Sequence, residues 1–146
     1  MVTLHAACCA LGGTGILIRG PSGSGKSSLA LLLAAQEDGA FVADDRVVCE
    51  MRGGRLVARP HAVLAGRVEV RGQGILPLAD LGVPSRAETD LHLAVDLVDA
   101  LPRLPEPAGD ADILGIALPR LALDAGVRAA GLAPLLVRAA LRKRRP

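Results

Sequence analysis

The sequence has 146 residues, a formal net charge of +2 at pH 7, and 51% hydrophobic but only 1% aromatic residues. The length predicts a single domain, residues 1–146, with an aliphatic core, and the lack of aromatic side chains for base stacking argues against nucleic acid as a partner. The three cysteines are an odd number with neither CxxC nor His spacing, which indicates neither a disulfide framework nor a zinc site and favours a reducing, cytoplasmic compartment.

The first predicted elements are two strands joined by a tight turn. Apolar runs at residues 3–10 and 15–19 flank Gly12 and Gly13, a pattern typical of a β-hairpin. The first run resembles the apolar part of a signal peptide, but no basic segment precedes it, so we interpret it as a strand. Since no apolar run approaches the ~20 residues of a membrane span, we expect no membrane partner.

The remaining elements alternate helix and strand signals. A buried helix is predicted at residues 27–36, followed by a meander of short strands, and residues 91–98 indicate a strand leaving the core. The proline-rich residues 102–112 predict a loop over one face, and Pro134 suits the first turn of a final helix. The other predicted segments are strands at residues 41–43, 47–50, 55–58 and 113–118 and a helix at residues 131–142. Together they predict an α/β domain with a mixed, partly antiparallel sheet.

A phosphate-binding loop lies between the second strand and the first helix. The run GPSGSGKS at residues 20–27 fits GxxxxGK[ST] at every fixed position, and a chance Gly/Ser-rich turn is the weaker alternative in this context. Glycines let backbone N–H groups curl around a phosphate at the helix N-terminus. Lys26 would bridge the β- and γ-oxygens, and Ser27 would bind Mg²⁺. The predicted nucleotide-binding residues are Gly20, Pro21, Ser22, Gly23, Ser24, Gly25, Lys26 and Ser27.

Two carboxylates follow the next strand, in the run VADD at residues 42–45. Phosphoryl transfer needs a second anchor for the metal and a group that takes the acceptor's proton. Adjacent residues on a strand face opposite sides, so we expect at most one of Asp44 and Asp45 to be the base, the other holding the metal or a local turn. The alternative is an Asp-rich turn before Arg46.

A Gly-rich segment, VEVRGQGIL at residues 68–76, carries a second acid and a base. Glu69 and Arg71 are two residues apart and would point the same way on a strand, as a metal ligand and a charge stabiliser. Gly72 and Gly74 would free the backbone to approach a ligand closely. By itself, a surface Glu/Arg pair before a turn is the more ordinary interpretation.

In this order, His5, GPSGSGKS, VADD and EVRGQGI at residues 69–75 resemble the catalytic domain of HPr kinase/phosphorylase, which phosphorylates a serine of the phosphocarrier protein HPr of a phosphotransferase system. The resemblance implies a P-loop domain of the phosphoenolpyruvate carboxykinase type, ATP and Mg²⁺ as cofactors, and a homo-hexamer. The chain begins near the catalytic core, so we expect the family's separate N-terminal domain to be absent.

The resemblance also implies roles for individual residues. Asp44 would accept the proton of the acceptor serine, and His5, otherwise interpretable as a core histidine, would assist the phosphate or the hydroxyl. Arg103-Leu104 precede LPRL at residues 118–121 at the family's interval, which suggests Arg103 as a catalytic arginine. Taking the residue patterns and the resemblance together, the predicted catalytic residues are His5, Lys26, Asp44, Arg71 and Arg103, and the predicted metal ligands are Ser27, Asp45 and Glu69.

Two segments depart from the family pattern. The family's RLG continues here as RLPEP, and its PV[KR]PGRN loop corresponds to residues 124–131, where only Arg128 could substitute. The second departure argues against the reverse, phosphorylase reaction. Two alternatives stay open, a small-molecule P-loop kinase and a nucleotide-dependent regulatory binding module without catalysis. The basic end, residues 142–146, complements a helix dipole or, as the alternative, serves in docking or in nucleic-acid binding.

Overall fold

Eleven strands and three helices are found in the computed structural model, which describes residues 1–143; the end of the predicted basic tail, residues 144–146, lies outside the described residues. Two short 3-10 turns occur at Ala62–Leu64 and Leu78–Leu81. The strands and helices in chain order are β1 (Val2–Leu11), β2 (Thr14–Arg19), α1 (Lys26–Ala34), β3 (Gly39–Ala43), β4 (Arg46–Arg52), β5 (Arg55–Pro60), β6 (Arg67–Val70), β7 (Gly74–Pro77), β8 (Thr89–Leu97), β9 (Ala111–Ile113), β10 (Ile116–Leu118), β11 (Arg120–Leu123), α2 (Ala125–Ala129) and α3 (Ala133–Lys143).

The main sheet is mixed, as predicted, and its order is β11-β8-β2-β1-β4-β5 with β3 also paired to β1. The predicted N-terminal hairpin is confirmed, since β1 and β2 are antiparallel with Leu11 opposite Thr14. β8 runs parallel to both β2 and β11, and its first residues pair antiparallel with β5. The prediction that residues 91–98 leave the core was wrong, because β8 pairs with β11 on one side and β2 on the other, and Leu93, Ala94 and Val95 are fully buried.

Two further predictions are corrected by the pairing. Strands β3, β4 and β5 do not form a continuous meander, because β3 and β4 each pair with a different half of β1. The single strand expected at residues 113–118 is a hairpin of β9 and β10. Leu114 and Gly115 both have positive φ, 52° and 82°, which turns the chain back in two residues.

Both faces of the sheet are buried. On β1, Ala7 and Cys9 face the layer of α1 and α3, whereas Ala6 and Cys8 face the layer closed by the β9–β10 hairpin. A strand covered on both faces has a continuous apolar sequence instead of an alternating one, which explains the apolar run at residues 6–11, the buried second half of β1. The final helix begins at Ala133 with Pro134 in its first turn, as predicted. Among residues 1–143, no helix is both long and apolar enough to cross a bilayer.

The three cysteines lie in this core. Cys8, Cys9 and Cys49 are free and buried, and burial raises the pKa of Cys9 to about 12, of Cys49 to about 11, and of Cys8 well above its ordinary value. The thiols therefore stay protonated and unreactive at neutral pH. We expect Ellman's reagent to label no thiol rapidly in the folded protein and all three in guanidinium. Rapid labelling of the native protein would contradict the burial of that side chain.

Candidate functional site

The loop before α1 has free backbone donors for an anion. Gly25 is the N-cap of α1 with φ 97°, no side chain caps this helix, and its first turn contains no acidic residue. Gly23 also has a positive φ, 82°, which residues with a Cβ rarely adopt. The N-terminal N–H groups of α1 thus lack the usual side-chain partner, as expected of a phosphate-binding helix end.

Lys26 closes the loop on itself. Its side chain is buried, with 8% of the residue exposed, and its Nζ donates to the carbonyl oxygens of Gly20 at 2.9 Å and Pro21 at 3.0 Å. These two bonds hold a positive charge at the floor of the loop. The two bonds also connect the end of the loop back to its first two residues.

Asp44 connects three of the motifs found in the sequence. It follows β3 and is only 6% exposed; its Oδ1 accepts a 2.5 Å hydrogen bond from the Ser27 hydroxyl, and its Oδ2 accepts a 2.9 Å bond from the Glu69 backbone N–H. Because the Ser27 proton is directed at Asp44, the lone pairs of the serine oxygen remain available to a cation. The phosphate loop, VADD and EVRG therefore meet at one carboxylate.

Asp45 faces the same cleft as Asp44, so the prediction of opposite faces was wrong. Asp45 has φ 64°, a left-handed conformation that Asp tolerates better than most residues, and it turns the chain directly after β3. Its Oδ1 lies 2.8 Å from His5 Nε2. The His5 side chain is 53% exposed, which excludes the alternative of a core histidine.

Glu69 and Arg71 reach the cleft from the β6–β7 hairpin. Glu69 is on β6, but the strand ends at Val70, so Arg71 lies in the turn and not, as predicted, on the strand. A Cβ built on Gly23 would lie 3.8 Å from Nη2 of Arg71, which places this guanidinium beside the phosphate loop. The hairpin turn thus carries a positive charge to the rim of the loop.

These side chains surround a cleft of about 380 Å³, a size ordinary for small-ligand sites. Sequence reasoning missed Ser28, whose only signal is its place as the second serine of GKSS. The cleft is lined by His5, Ser22, Gly23, Gly25, Lys26, Ser27, Ser28, Asp44, Asp45, Glu69 and Arg71.

Several predicted site residues do not line the cleft. Gly20 and Pro21 contribute only the carbonyls that Lys26 binds, and the Ser24 hydroxyl is buried without a hydrogen-bond partner in the described part of the chain. Arg103 is exposed on the loop between β8 and β9 and is not among the lining residues. Arg128 donates to the carbonyls of Val98 and Leu123, and these bonds fix α2 to the end of the neighbouring strands.

The oxygen atoms at the cleft suit a magnesium ion that keeps some of its waters, and they do not form a complete set of protein ligands. Within residues 1–143 no group of three His, Cys, Asp or Glu side chains is arranged to hold a metal. Mg²⁺ usually keeps several waters and binds one or two carboxylates plus substrate phosphates. The Ser27 hydroxyl and the carboxylates of Asp45 and Glu69, all at the cleft, fit that donor set.

This chain is similar to known proteins named HPr kinase/phosphorylase or Hpr(Ser) kinase/phosphatase. A protein from Burkholderia cenocepacia called HPr kinase/phosphorylase is 34% identical over 147 aligned residues, which cover 96% of this chain and 45% of the relative. One of the same name from Mycoplasma mycoides subsp. mycoides is 36% identical over 101 residues, 65% of this chain and 31% of the relative. The solved Hpr(Ser) kinase/phosphatase from Coxiella burnetii superposes with a TM-score of 0.83 at 27% identity, covering 98% of this chain and 92% of that one.

The chain spans less than half the length of these two curated relatives. The likeness to the Coxiella burnetii structure extends over nearly the whole of both chains and confirms the predicted α/β class. The family model described as HPr Serine kinase C-terminal domain matches residues 1–145. The chain therefore belongs to the family of the HPr serine kinase C-terminal domain.

Proposed function

We propose that this chain is the catalytic unit of an ATP- and Mg²⁺-dependent protein serine kinase that phosphorylates the phosphocarrier protein HPr. The observation that carries the proposal is the position of Asp44, which binds the Ser27 hydroxyl of the phosphate loop and the backbone of Glu69 at once. A buried carboxylate beside the phosphate loop is suited to accept a hydroxyl proton. The names of the relatives supply the acceptor, HPr.

The charged side chains of the cleft and the Ser27 hydroxyl each have a role in this proposal. The N–H groups at the start of α1 and the Lys26 ammonium would bind the phosphates of ATP. Ser27, Asp45 and Glu69 would hold Mg²⁺, which when bound would neutralise charge on the phosphate oxygens. Asp44 has lone pairs beyond the two that accept its hydrogen bonds, and one of these would take the serine proton.

Three other residues complete the proposed site. Asp45 would orient His5 through their 2.8 Å contact, so that the imidazole faces the phosphate or the acceptor hydroxyl. Arg71, next to Gly23, would balance negative charge at the loop. Arg103 belongs to the proposal through the family resemblance alone, since its loop does not line the cleft.

We further propose that the kinase direction predominates, that the protein acts in the cytoplasm, and that it assembles as a homo-oligomer. The kinase preference rests on residues 124–131, where the structure has the short helix α2 and where Arg128 is bound to two backbone carbonyls. A guanidinium committed in this way is a poor substitute for the family's PGRN loop.

The test is incubation of the purified chain with radiolabelled ATP, Mg²⁺ and purified HPr, with HPr lacking its acceptor serine as the control. We expect label on intact HPr and none on the control. In a parallel incubation to which a cell extract is added, label on a metabolite and none on HPr would identify a small-molecule kinase instead. Tight ATP binding without transfer to either would identify a regulatory binding module.

A further inference from the structure

A carboxylate outside the cleft is shared by two arginines. Asp96 lies near the carboxyl end of β8, and its side chain is only 16% exposed. Its two oxygens accept from Arg19, with Nε at 2.7 Å from Oδ1 and Nη2 at 2.9 Å from Oδ2, and Oδ2 also accepts from Arg120 Nη1 at 3.1 Å. The paired bonds to Arg19 match the planar guanidinium to the planar carboxylate, which fixes direction as well as distance.

Arg19 is the last residue of β2 and directly precedes the phosphate loop. In the sheet register Arg19 is opposite Asp96, so the ion pair clamps β2 to β8 at the point where the chain leaves the sheet. The next residue of β8 supports the loop as well, since a Cβ built on Gly20 would lie 3.1 Å from both Cβ and O of Leu97. Residues 96 and 97 therefore hold the base of the loop, one through its side chain and the other through close packing.

Arg120, the second arginine bound to Asp96, also contacts the loop that carries Arg103. Arg120 begins β11, and besides binding Asp96 it donates from Nε to the carbonyl of Gly109 at 2.9 Å. Gly109 is at the end of the proline-rich segment before β9. Asp96 thus connects the strand before the phosphate loop to the anchor of a second loop.

We infer that Asp96 is a positioning residue of the nucleotide site, acting through Arg19 on the first turn of the phosphate loop. The inference rests on the proposed function for the identity of the ligand. Asparagine at position 96 would present one oxygen and one N–H₂ group, so the two parallel bonds of Arg19 could not both form. In one amide orientation Arg19 Nε loses its acceptor, and in the other Arg19 Nη2 and Arg120 Nη1 lose theirs. The end of β2 and the loop that follows would then be free to shift.

The experiment compares Asp96→Asn with a matched change on the same strand. Asp90 is at the opposite end of β8 and accepts two bonds of 3.0 Å from Arg55, far in sequence from the phosphate loop. Titration with a fluorescent ATP analogue and Mg²⁺, well below the thermal midpoint of every variant, measures the dissociation constant. We expect roughly tenfold weaker binding for Asp96→Asn and no change for Asp90→Asn.

Further variants separate positioning from stability. Arg19→Gln should weaken binding as Asp96→Asn does, and the double variant should bind no worse than either single one, because both changes break the same pair. Asp96→Glu keeps the carboxylate and should bind the analogue with nearly wild-type affinity. If Asp96→Asn does not fold, the dissociation constants of Asp96→Glu and Arg19→Gln still test the inference.

A lower thermal midpoint for Asp96→Asn with wild-type nucleotide affinity would overturn the inference, as would additive losses in the double variant. A wild-type chain that binds the analogue but transfers nothing to HPr would reject the proposed kinase and leave the binding comparison decisive. A wild-type chain that binds no nucleotide would reject both.

Discussion

Replacing Lys26 by methionine is expected to lower kcat/KM for HPr phosphorylation by about 10³-fold. The ammonium is the cation at the floor of the phosphate loop, and its bonds to the carbonyls of Gly20 and Pro21 also keep the loop closed. Methionine retains the length and apolar volume of the side chain but neither donates nor carries charge. Both ATP affinity and transfer should therefore fall, as measured by nucleotide titration and by steady-state kinetics.

The sequence offers a matched control, because its one other lysine is Lys143 at the end of α3. Lys143→Met makes the same chemical change on the exposed surface and should leave both measurements unchanged. Wild-type kinetics for Lys26→Met would mean that the cleft does not bind the phosphates of ATP in the proposed way.

Replacing Asp44 by asparagine should nearly abolish phosphoryl transfer but, unlike Lys26→Met, should leave ATP binding intact. We expect kcat to fall by about 10²–10⁴-fold while the dissociation constant for ATP changes little, since the proton acceptor is lost but the loop is not. The substitution fits the local hydrogen bonds: the amide oxygen can accept from Glu69 N–H, and the amide nitrogen can donate to the Ser27 oxygen. Single-turnover transfer to HPr and nucleotide titration give the two quantities.

Asp110→Asn, on the exposed loop before β9, is the control for the loss of one carboxylate and should behave as the wild type. Normal phosphorylation of HPr by Asp44→Asn would remove Asp44 from the role of base. A parallel loss of ATP binding would instead show that Asp44 acts chiefly by holding Ser27.

These two variants separate binding from chemistry. Lys26→Met is expected to change affinity and rate together, whereas Asp44→Asn is expected to change rate alone. The contrast follows from geometry, because Lys26 bonds to the backbone of the phosphate loop, whereas within residues 1–143 the Asp44 carboxylate bonds to the loop through the Ser27 hydroxyl.

The phosphate loop and the first hairpin could be predicted from the sequence alone because both depend on short-range rules. The spacing of Gly20, Gly25 and Lys26 between an apolar strand and a helix former determines a helix N-terminus with free donors, and Gly12-Gly13 determines a tight turn. Apolar periodicity was also sufficient for the mixed α/β class. The order of the motifs along the chain supplied the family resemblance, and the resemblance supplied the roles of His5, Asp44 and Arg103.

Local rules were insufficient where the sheet register brings distant residues together. Only the tertiary structure decided that Asp44 binds both Ser27 and the backbone of Glu69, and that the positive φ of Asp45 turns its carboxylate to His5. It likewise excluded Arg103 from the lining of the cleft. No local pattern encodes such contacts, because they depend on which strands pair and on where each strand ends.

The sequence by itself therefore determined a phosphate-binding loop in an α/β domain and the set of residues that accompany it. The tertiary structure decided which of these residues share a cleft and what supports them. The pair of Arg19 and Asp96 shows the reason: 77 residues separate the two side chains, and only the parallel register of β2 and β8 places one opposite the other.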